Sequence, residues 1–440
     1  MRAWFSLVLF FVAVSRGVAA PEVVLVFTSD QHSAHARMAQ FVALVDRVTA
    51  EHAGVPVAAL INGDTFESGN SIARRSGGEF EYAFFRALAQ RVPTVLNLGN
   101  HEPDFHDVAT TVARAQACGV TVISNLVDRD SGKPFTSATT RLKLGQRELV
   151  IAGLTTDLLT TYRVAIRPTL DLANPAVWAE ENFPTIFAAA DLPIVMAHTG
   201  LKADREILQH TPRNALYVAG HDHARFLARP EGIAYAQSGA WGGFASIARL
   251  ENGAWSIEQV ALTDELPTNP ELAAIAARVE EQHATAEDRE VVGRSALALG
   301  PEEAARFAVE AVRAATGADA AVIGATTFGG GVSAGKVTRM EFDAWVRFEG
   351  QICVAEISGA ELLTLASRAN LGPDAPWEKR GGENLVLVTP EQIDPTRMYR
   401  IATNDWAVKN TRRYFGENAP TFAEVPEMRL KSVVARALQP

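Results

Sequence analysis

Six short apolar runs, five of them followed at once by groups that can bind a metal ion, constrain the fold of this 440-residue chain more than any other feature. The runs have the length and the Val, Ile, Leu and Ala content of buried parallel strands, and amphipathic stretches that could form crossover helices separate them. They are Val23 to Phe27, Val57 to Ile61, Thr94 to Leu98, Leu149 to Leu154, Ile194 to Ala197 and Leu216 to Ala219. This alternation predicts an α/β fold.

The polar groups come directly after their runs. They lie in Asp30-Gln31-His32, Gly63-Asp64, Gly99-Asn100-His101-Glu102, His198-Thr199-Gly200 and Gly220-His221-Asp222-His223. Because the carboxyl ends of strands open onto the functional crevice of an α/β sheet, we expect these groups to converge on one edge of the layer. A glycine before Asp64, Asn100 and His221 suits a backbone that turns sharply and comes close to its neighbours.

The residue types indicate the metal. Asp, His and Asn together suit Zn, Mn or Fe, and the absence of Cys from the motifs argues against a thiolate site. The candidate ligands are Asp30, His32, Asp64, Asn100, His198, His221 and His223. Seven ligands exceed the need of one ion, whereas two ions about 3.5 to 4 Å apart that share a carboxylate would use them all. We therefore expect two divalent ions.

Each motif alone is a weak signal. Asp-x-His, Gly-Asp and Gly-Asn are common in loops and turns, whereas Gly-His-x-His after a buried strand is more specific. Five of the ten histidines fall within the motifs. We assign surface or packing roles to the other five, which are His35, His52, His106, His210 and His283.

Composition excludes several classes of protein. With 48% hydrophobic and 21% charged residues the chain is ordinary globular protein, and its length predicts two to three domains. The net charge of −10 and the lack of a basic run argue against polymeric DNA or RNA as a partner. Cys118 and Cys353 cannot form a disulfide scaffold, and whether they pair is left open.

The N-terminus has the pattern of an export signal. Arg2 supplies positive charge, Ala3 to Val14 is almost wholly apolar, and Gly17 to Ala20 offers small residues for cleavage. The apolar run is well short of the roughly 20 residues that span a bilayer. We expect residues 1–20 to be a cleaved signal peptide and the mature protein to be periplasmic or secreted, with no membrane anchor.

In their order along the chain, these motifs resemble those of the calcineurin-like metallophosphatases, and within them the 5'-nucleotidase and UDP-sugar hydrolase group. The resemblance implies an N-terminal four-layer α/β/β/α sandwich and a smaller C-terminal α/β domain of the 5'-nucleotidase type. We place the metallophosphatase domain at residues 21–262, a linker helix at 263–290 and the substrate-binding domain at 291–440. The Ala- and Glu-rich stretch Leu272 to Gln282, which follows two prolines, favours the helix.

The resemblance also implies roles for the site residues. One ion would be held by Asp30, His32 and His223, the other by Asn100, His198 and His221, and Asp64 would bridge both. His101 and Asp104 match the pair with which the family stabilises its transition state. Because Asn100 beside it would be a ligand, His101 is free to face the substrate.

The match weakens in the substrate pocket. The family's Asn-Gly-Gly-x-Arg motif becomes Phe328 to Ser333, without its Asn or Arg. Phe348 keeps an aromatic ring that could either stack on a base or pack in the core. The Gly-rich aromatic loop becomes Asn410 to Phe415, in which Tyr414 or Phe415 could stack on a base.

Three arginines could replace the lost one, since guanidinium binds phosphate in bidentate geometry. They are Arg347, Arg412 and Arg413, and they could equally be solvated surface charges.

These expectations favour an exported dinuclear-metal hydrolase of phosphate monoesters, with a small-molecule substrate and with 5'-nucleotides as the first choice. The same metal centre could instead act on cyclic nucleotides, sugar phosphates, nucleotide sugars or other phosphate esters. A non-catalytic binding protein with an inert metal site is the third alternative, and the presence of His101 and Asp104 argues against it. Self-association is left open.

Overall fold

The computed structural model describes residues 20–381, 384–416 and 419–438. The predicted signal peptide, residues 1–20, lies outside the described residues except for Ala20. Across the described ranges, no helix has both the length and the apolar character that a bilayer crossing requires. Cys118 and Cys353 are buried and free, so they do not pair with each other.

Two six-stranded sheets and their flanking helices form the first part of the chain. In order, its elements are β1 (Val23–Thr28), α1 (His35–Glu51), β2 (Val57–Asn62), α2 (Ser71–Ser76), α3 (Glu79–Ala89), β3 (Thr94–Asn97), α4 (Val108–Ala117), β4 (Thr121–Ile123), β5 (Val127–Asp128), β6 (Thr139–Leu144), β7 (Arg147–Thr155), β8 (Leu170–Asp171), α5 (Pro175–Ile186), β9 (Leu192–His198), α6 (Leu201–Ile207), β10 (Leu216–Ala219), β11 (Arg225–Ala228), β12 (Ala234–Ser238), β13 (Phe244–Glu251), β14 (Ala254–Ala261) and α7 (Pro270–His283).

The first sheet has the strand order β14-β13-β1-β2-β3-β4, in which β1 to β4 are parallel and β13 and β14 are antiparallel. The second has the order β11-β12-β10-β9-β7-β6, with parallel central strands and antiparallel strands at both edges. All six apolar runs form strands. They divide equally between the sheets, so the polar groups after them come from two sheet edges and not from one.

The sheets pack face to face, and the alternation of side chains along β1 shows how. Leu25 and Phe27 face the core between the sheets, whereas Val24 and Val26 face the outer helices. Helices α1, α3, α4 and α7 cover the first sheet, and α5 and α6 cover the second. Both faces of the central strands are buried, which explains their nearly continuous apolar sequence. This is the four-layer α/β/β/α sandwich that was expected.

Helix α7 occupies the segment that was expected to link the domains. Its N-terminus is capped by Asn269, whose side chain accepts the backbone N–H of Leu272, and Pro270 occupies the first turn. Leu272 is buried in the helical core of the first domain, and Ile275 packs against the same core. The helix therefore lies on the first domain and does not bridge a gap.

A smaller α/β domain follows. Its elements are β15 (Val291–Ser295), α8 (Pro301–Thr316), β16 (Ala320–Gly324), β17 (Gly335–Thr338), α9 (Arg339–Trp345), β18 (Gln351–Ser358), α10 (Gly359–Ala366), β19 (Leu385–Val388), β20 (Met398–Asn404), α11 (Asp405–Lys409), α12 (Thr411–Phe415), β21 (Ala423–Arg429) and α13 (Leu430–Ala437). Five strands form a sheet in the order β19-β16-β20-β18-β21. Helices α8, α9 and α13 pack on one face, and α10, α11 and α12 pack on the other.

A loop of the second domain, residues 371–381, lies on the outer layer of the first. Arg205 on α6 donates to the carbonyl oxygens of Trp377 and Arg380, and its guanidinium lies 4.3 Å from the centre of the Trp377 ring. The Arg380 guanidinium lies 3.9 Å from the centre of the Phe226 ring, and Trp377 packs edge-on against Tyr235. This loop therefore ties the two domains together.

A buried carboxyl lies close to the same layer. Asp204 accepts hydrogen bonds from the hydroxyl groups of Thr199 at 2.5 Å, Tyr217 at 2.9 Å and Tyr235 at 2.7 Å. Burial raises the pKa of Asp204 to about 7, although the hydrogen bonds oppose the rise. In the unfolded chain the ordinary pKa is 3.8. Between these two values the folded protein holds a proton that the unfolded chain has lost.

We expect Asp204→Asn to remove part of the pH dependence of stability. Because the folded-state pKa of Asp204 is raised, its favourable contribution is present below about pH 4 and is lost as the pH rises towards about 7. Thermal unfolding of both proteins across this range should show the wild-type melting temperature falling relative to that of the variant. Asp46→Asn, at an exposed carboxyl, is the control. If the melting temperature of Asp204→Asn changed with pH in parallel with that of the wild type, the raised pKa would not be that of Asp204.

Candidate metal centre

The expected ligands meet where the carboxyl ends of the two sets of parallel strands face each other. Asp30 and His32 follow β1, Asp64 follows β2 and Asn100 follows β3, while His198 ends β9, and His221 and His223 follow β10. There are four groups in which the possible ligand atoms lie within 4.8 Å of one another: Asp30, His32 and His223; His32, Asp64 and His101; Asp64, His198 and His221; and Glu67, His101 and Asp104. Residues from both sheets therefore form one cluster, although almost 200 positions separate them.

Close nitrogen and oxygen atoms define the centre of the cluster. The Nε2 atoms of His32 and His223 are 2.9 Å apart, and Nε2 of His223 is 3.6 Å from Oδ1 of Asp30. Nε2 of His198 lies 3.1 Å from Oδ2 of Asp64 and 3.8 Å from Oδ1 of Asp30. His198 thus stands between two carboxylates, and Asp64 belongs to two of the four groups.

The backbone at these strand ends is unusual. Five of the seven expected ligands have a positive φ: Asp30 at 52°, His32 at 46°, Asp64 at 52°, His221 at 85° and His223 at 59°. Residues other than glycine seldom adopt this left-handed conformation, which costs about 1 to 3 kcal/mol at each position. Such strain is typical of functional sites, where the surrounding structure holds side chains in one direction.

Two glycines allow the loops to approach each other. Gly63 has φ +79°, and a Cβ atom there would lie 2.7 Å from both the Gly99 nitrogen and Nδ1 of His198. A Cβ atom on Gly99 would lie 2.7 Å from the backbone nitrogen of Asp64. No side chain fits at either position without moving the cluster. The two loops therefore approach each other as closely as the glycines in the sequence led us to expect.

Glu102 holds the loops after β2 and β3 together. Its carboxylate accepts the backbone N–H groups of Asp64 at 2.8 Å, Thr65 at 2.8 Å and Gly99 at 2.6 Å. Hydrogen bonds from backbone N–H groups to a carboxylate are strong because the acceptor is charged. Glu102 therefore sets the position of the Asp64 carboxylate without being an expected ligand.

A second buried contact fixes the tautomer of His198. Its Nδ1 donates to the carbonyl oxygen of Asn62 at 2.8 Å, so Nε2 is the nitrogen that a metal would bind in place of a proton. The Asn62 side chain donates to the carbonyls of Ala197 and Val218 at 3.0 Å, and Asn97 donates to Asn62 at 2.9 Å. These amides join the two sheets directly beneath the cluster.

The charges of the cluster favour a cation at its centre. Burial lowers the pKa of His198, but the carboxylates of Asp64 and Asp30 outweigh it and raise the pKa to about 10. Burial raises the pKa of Asp64, yet His198 and His101 hold it well below its usual range. Burial and then the positive charge of His198 lower the pKa of His221 to about 3, so this imidazole is neutral. Ionised Asp64 and neutral His221 are the forms that bind metals.

His101 and Asp104 form the expected pair at the edge of the cluster. Nδ1 of His101 donates to Oδ2 of Asp104 at 2.8 Å, and the same oxygen accepts the backbone N–H of Ser68 at 2.7 Å. Burial lowers the pKa of His101, but Asp104 and then Asp64 outweigh it and raise the pKa to about 10. The remaining nitrogen, Nε2, can therefore carry a proton towards a bound ligand.

The donor atoms fit a divalent metal site. Within the described ranges, Oδ1 of Asn100 is buried and has no hydrogen-bond partner, and Nε2 of His198 faces the Asp64 carboxylate at 3.1 Å. Buried polar atoms are normally paired, so the Asn100 oxygen suits a ligand that the protein itself does not supply. Carboxylate, amide and imidazole groups are together the donor set of Zn, Mn or Fe.

The three aromatic residues expected to bind substrate do not form one cluster, as the expected metal ligands do. Phe348 is 49% exposed, so its ring can contact a ligand. Tyr414 is fully buried in the core of the second domain, and a base cannot stack on it, so that expectation is wrong. The ring of Phe415 packs against Phe422 at 5.0 Å at the edge of the same core.

Of the three candidate arginines, Arg347 reaches the edge of the cluster from the second domain. The side chain of Arg347 is only 3% exposed and forms an ion pair with Glu67. The charge of Arg413 contributes to the lowered pKa of His221, after the larger effects of burial and of His198. Glu67 and Trp241 also contact His32, but no local motif marks either residue, so neither was expected from the sequence.

Comparison with known proteins places these features in a family. Residues 23–225 match the model of the calcineurin-like phosphoesterases, and residues 282–417 match that of the 5'-nucleotidase C-terminal domain. A comparison with curated protein sequences gave no match.

Several solved structures share the whole fold. The 5'-nucleotidase precursor from Thermus thermophilus is 17% identical, with 95% of this chain and 96% of that chain covered and a TM-score of 0.61. The sulfate thiohydrolase SoxB of the same organism is 14% identical, with coverage of 95% and 94% and a TM-score of 0.65. The 5'-nucleotidase from Candida albicans is 13% identical, with coverage of 96% and 98% and a TM-score of 0.58.

The two family models match consecutive parts of the chain, and the solved structures reproduce the arrangement of both domains. A His and Asp cluster suited to a divalent metal lies at the sheet ends of the first domain. The chain therefore belongs to the two-domain calcineurin-like 5'-nucleotidase family of metal-dependent phosphoester hydrolases.

Proposed function

We propose that this protein is an exported phosphoesterase that binds two divalent ions and hydrolyses phosphate monoesters, with 5'-nucleotides as its substrates and nucleoside and phosphate as its products. The observation that carries the proposal is the position of Asp64, which shares one group of possible ligand atoms with His32 and His101 and another with His198 and His221. A carboxylate between two groups of imidazoles is the arrangement that a two-metal site requires.

The resemblance to the family supplies the ligand assignment, and the grouping of Asp30, His32 and His223 and of Asp64, His198 and His221 supports it. One ion would be held by Asp30, His32 and His223, the other by Asn100, His198 and His221, and Asp64 would bridge them. Bound divalent cations would supply Lewis acidity, which lowers the pKa of water and neutralises charge on phosphoryl oxygens. Asn100 contributes a neutral oxygen, which keeps the site more positive towards an anionic substrate than a carboxylate would.

His101 is the catalytic residue that the chain itself supplies. Asp104 fixes its ring through Nδ1, so the proton on Nε2 is directed at the reacting group. From there His101 stabilises negative charge on the phosphoryl oxygens or protonates the leaving oxygen.

Two features support a nucleotide as the substrate. Phe348 has an exposed ring and directly follows Arg347, which reaches the edge of the metal cluster through Glu67. A base stacked on this ring would therefore belong to the same ligand as a phosphate at the metals. Structures with the same two-domain fold include 5'-nucleotidases.

Residues 1–20 have the pattern of a signal peptide, which supports a periplasmic or secreted location.

Metal content and a substrate panel test the proposal together. Purified protein should contain two divalent ions per chain by elemental analysis, and chelation should abolish hydrolysis that added Mn or Zn restores. At fixed metal, AMP should be cleaved with a higher kcat/KM than an aryl phosphate, a cyclic nucleotide or a nucleotide sugar. Preference for another ester would move the substrate assignment to that class, and two bound ions without hydrolysis of any ester would identify a binding protein.

His101→Ala should lower kcat by about 100-fold or more while the metal content stays at the wild-type value. The reason is that the ring acts on the reacting phosphoryl group and is not an expected ligand. His106→Ala, which removes an imidazole outside the cluster, is the matched control and should retain nearly full activity. Full activity in His101→Ala would refute the catalytic assignment, and loss of metal would show that His101 is a ligand.

A further inference from the structure

A buried carboxylate stands behind one of the expected metal ligands. Glu67 follows Asp64 by three residues, and its side chain is only 2% exposed. Its Oε2 lies 3.4 Å from Nδ1 of His32, while Nε2 of His32 faces His223 at 2.9 Å. The two nitrogens of His32 thus point in different directions, one to the cluster and one to Glu67. Metal-bound histidines commonly direct their second nitrogen to a carboxylate, which holds the ring in place.

The second domain supplies the partner of this carboxylate. Arg347, which follows α9, forms an ion pair with Oε2 of Glu67 through Nη2. Its Nη1 donates to the carbonyl oxygen of Thr326 at 2.9 Å, so the guanidinium is anchored in its own domain. A buried carboxylate without a partner is costly, and Arg347 offsets that cost at this position.

A second contact joins the same residues. The Trp241 ring stacks on His32, with 5.0 Å between ring centres and an angle of 26°. The Arg347 guanidinium lies 5.1 Å from the centre of the Trp241 ring. Glu67 therefore lies beside Nδ1 of His32 and Trp241 covers the face of its ring, and both of these residues contact Arg347.

We infer that Glu67 and Arg347 are positioning residues for His32, so that the second domain helps to hold the ion bound by Asp30, His32 and His223. The inference rests on the proposed metal site but goes beyond it, because it makes metal affinity in the first domain depend on a side chain of the second. Arg347 would then act through Glu67 and not as a replacement for a substrate-binding arginine.

Metal affinity of the full chain, measured by competition of Mn²⁺ or Zn²⁺ with a chelator, tests the inference directly. Glu67→Gln and Arg347→Gln should each weaken the binding of one of the two ions by about 10- to 100-fold, as is typical when the partner of a metal-bound histidine is lost. Arg205→Gln, which also removes an arginine from a contact between the domains, is the matched control and should bind both ions as the wild type does.

Kinetics at saturating metal separate positioning from substrate binding. Excess Mn²⁺ should restore kcat of Arg347→Gln to within a few-fold of the wild type, with KM for AMP unchanged. Unchanged metal affinity together with a raised KM would instead show that Arg347 binds the substrate, and would overturn the inference. If the chain hydrolysed no phosphate ester at all, the proposed function would fail, but the affinity measurement would still decide the inference.

Loss of one partner from a buried ion pair can also unfold a protein. The double variant Glu67→Gln with Arg347→Gln removes both charges and leaves two amides that can bond to each other. It should unfold, without metal, at nearly the wild-type temperature and still show the weakened binding of one ion. Wild-type metal affinity in this variant would overturn the inference.

Discussion

The structure depends on bringing polar side chains from two facing sheets together in one cluster. Each of these residues lies within a few positions of a strand end. Five expected ligands adopt a left-handed backbone to do so. This conformation is unfavourable for residues other than glycine, so the surrounding packing must enforce it. The apolar core between the sheets, the Asn62 and Asn97 amides beneath the cluster and the Glu102 carboxylate supply that rigidity. The site is thus held mainly by groups that would not bind a metal.

The second constraint is charge. Asp30, Asp64 and five imidazoles are crowded into a volume that water hardly reaches. Such a set is stable only if opposite charges alternate, and the carboxylates of Asp64 and Asp30 accordingly raise the pKa of His198 to about 10 against the effect of burial. Arg347 extends this balance into the second domain through Glu67. The two domains are therefore joined by electrostatics at the site as well as by the loop on the outer layer.

Local sequence signals were sufficient for the first domain because they are strong and repeated. Each apolar run with a polar residue after it reports a strand end, and the runs became the central strands of both sheets. The second domain was harder. Tyr414 occurs in a segment that could have formed a stacking loop, but helix α12 turns its ring into the core. Whether an aromatic ring faces a ligand or the core depends on packing, and the residues next to it in sequence do not reveal it.

The sequence by itself determined the α/β class, the two domains and the residues that come together at the strand ends, because burial periodicity and residue chemistry are local properties of the chain. Only the tertiary structure decided that two sheets share the site, that helix α7 lies on the first domain, and that Glu67 and Arg347 meet behind His32. These contacts join residues up to 280 positions apart. Their formation depends on how whole layers and domains pack, which no local pattern encodes.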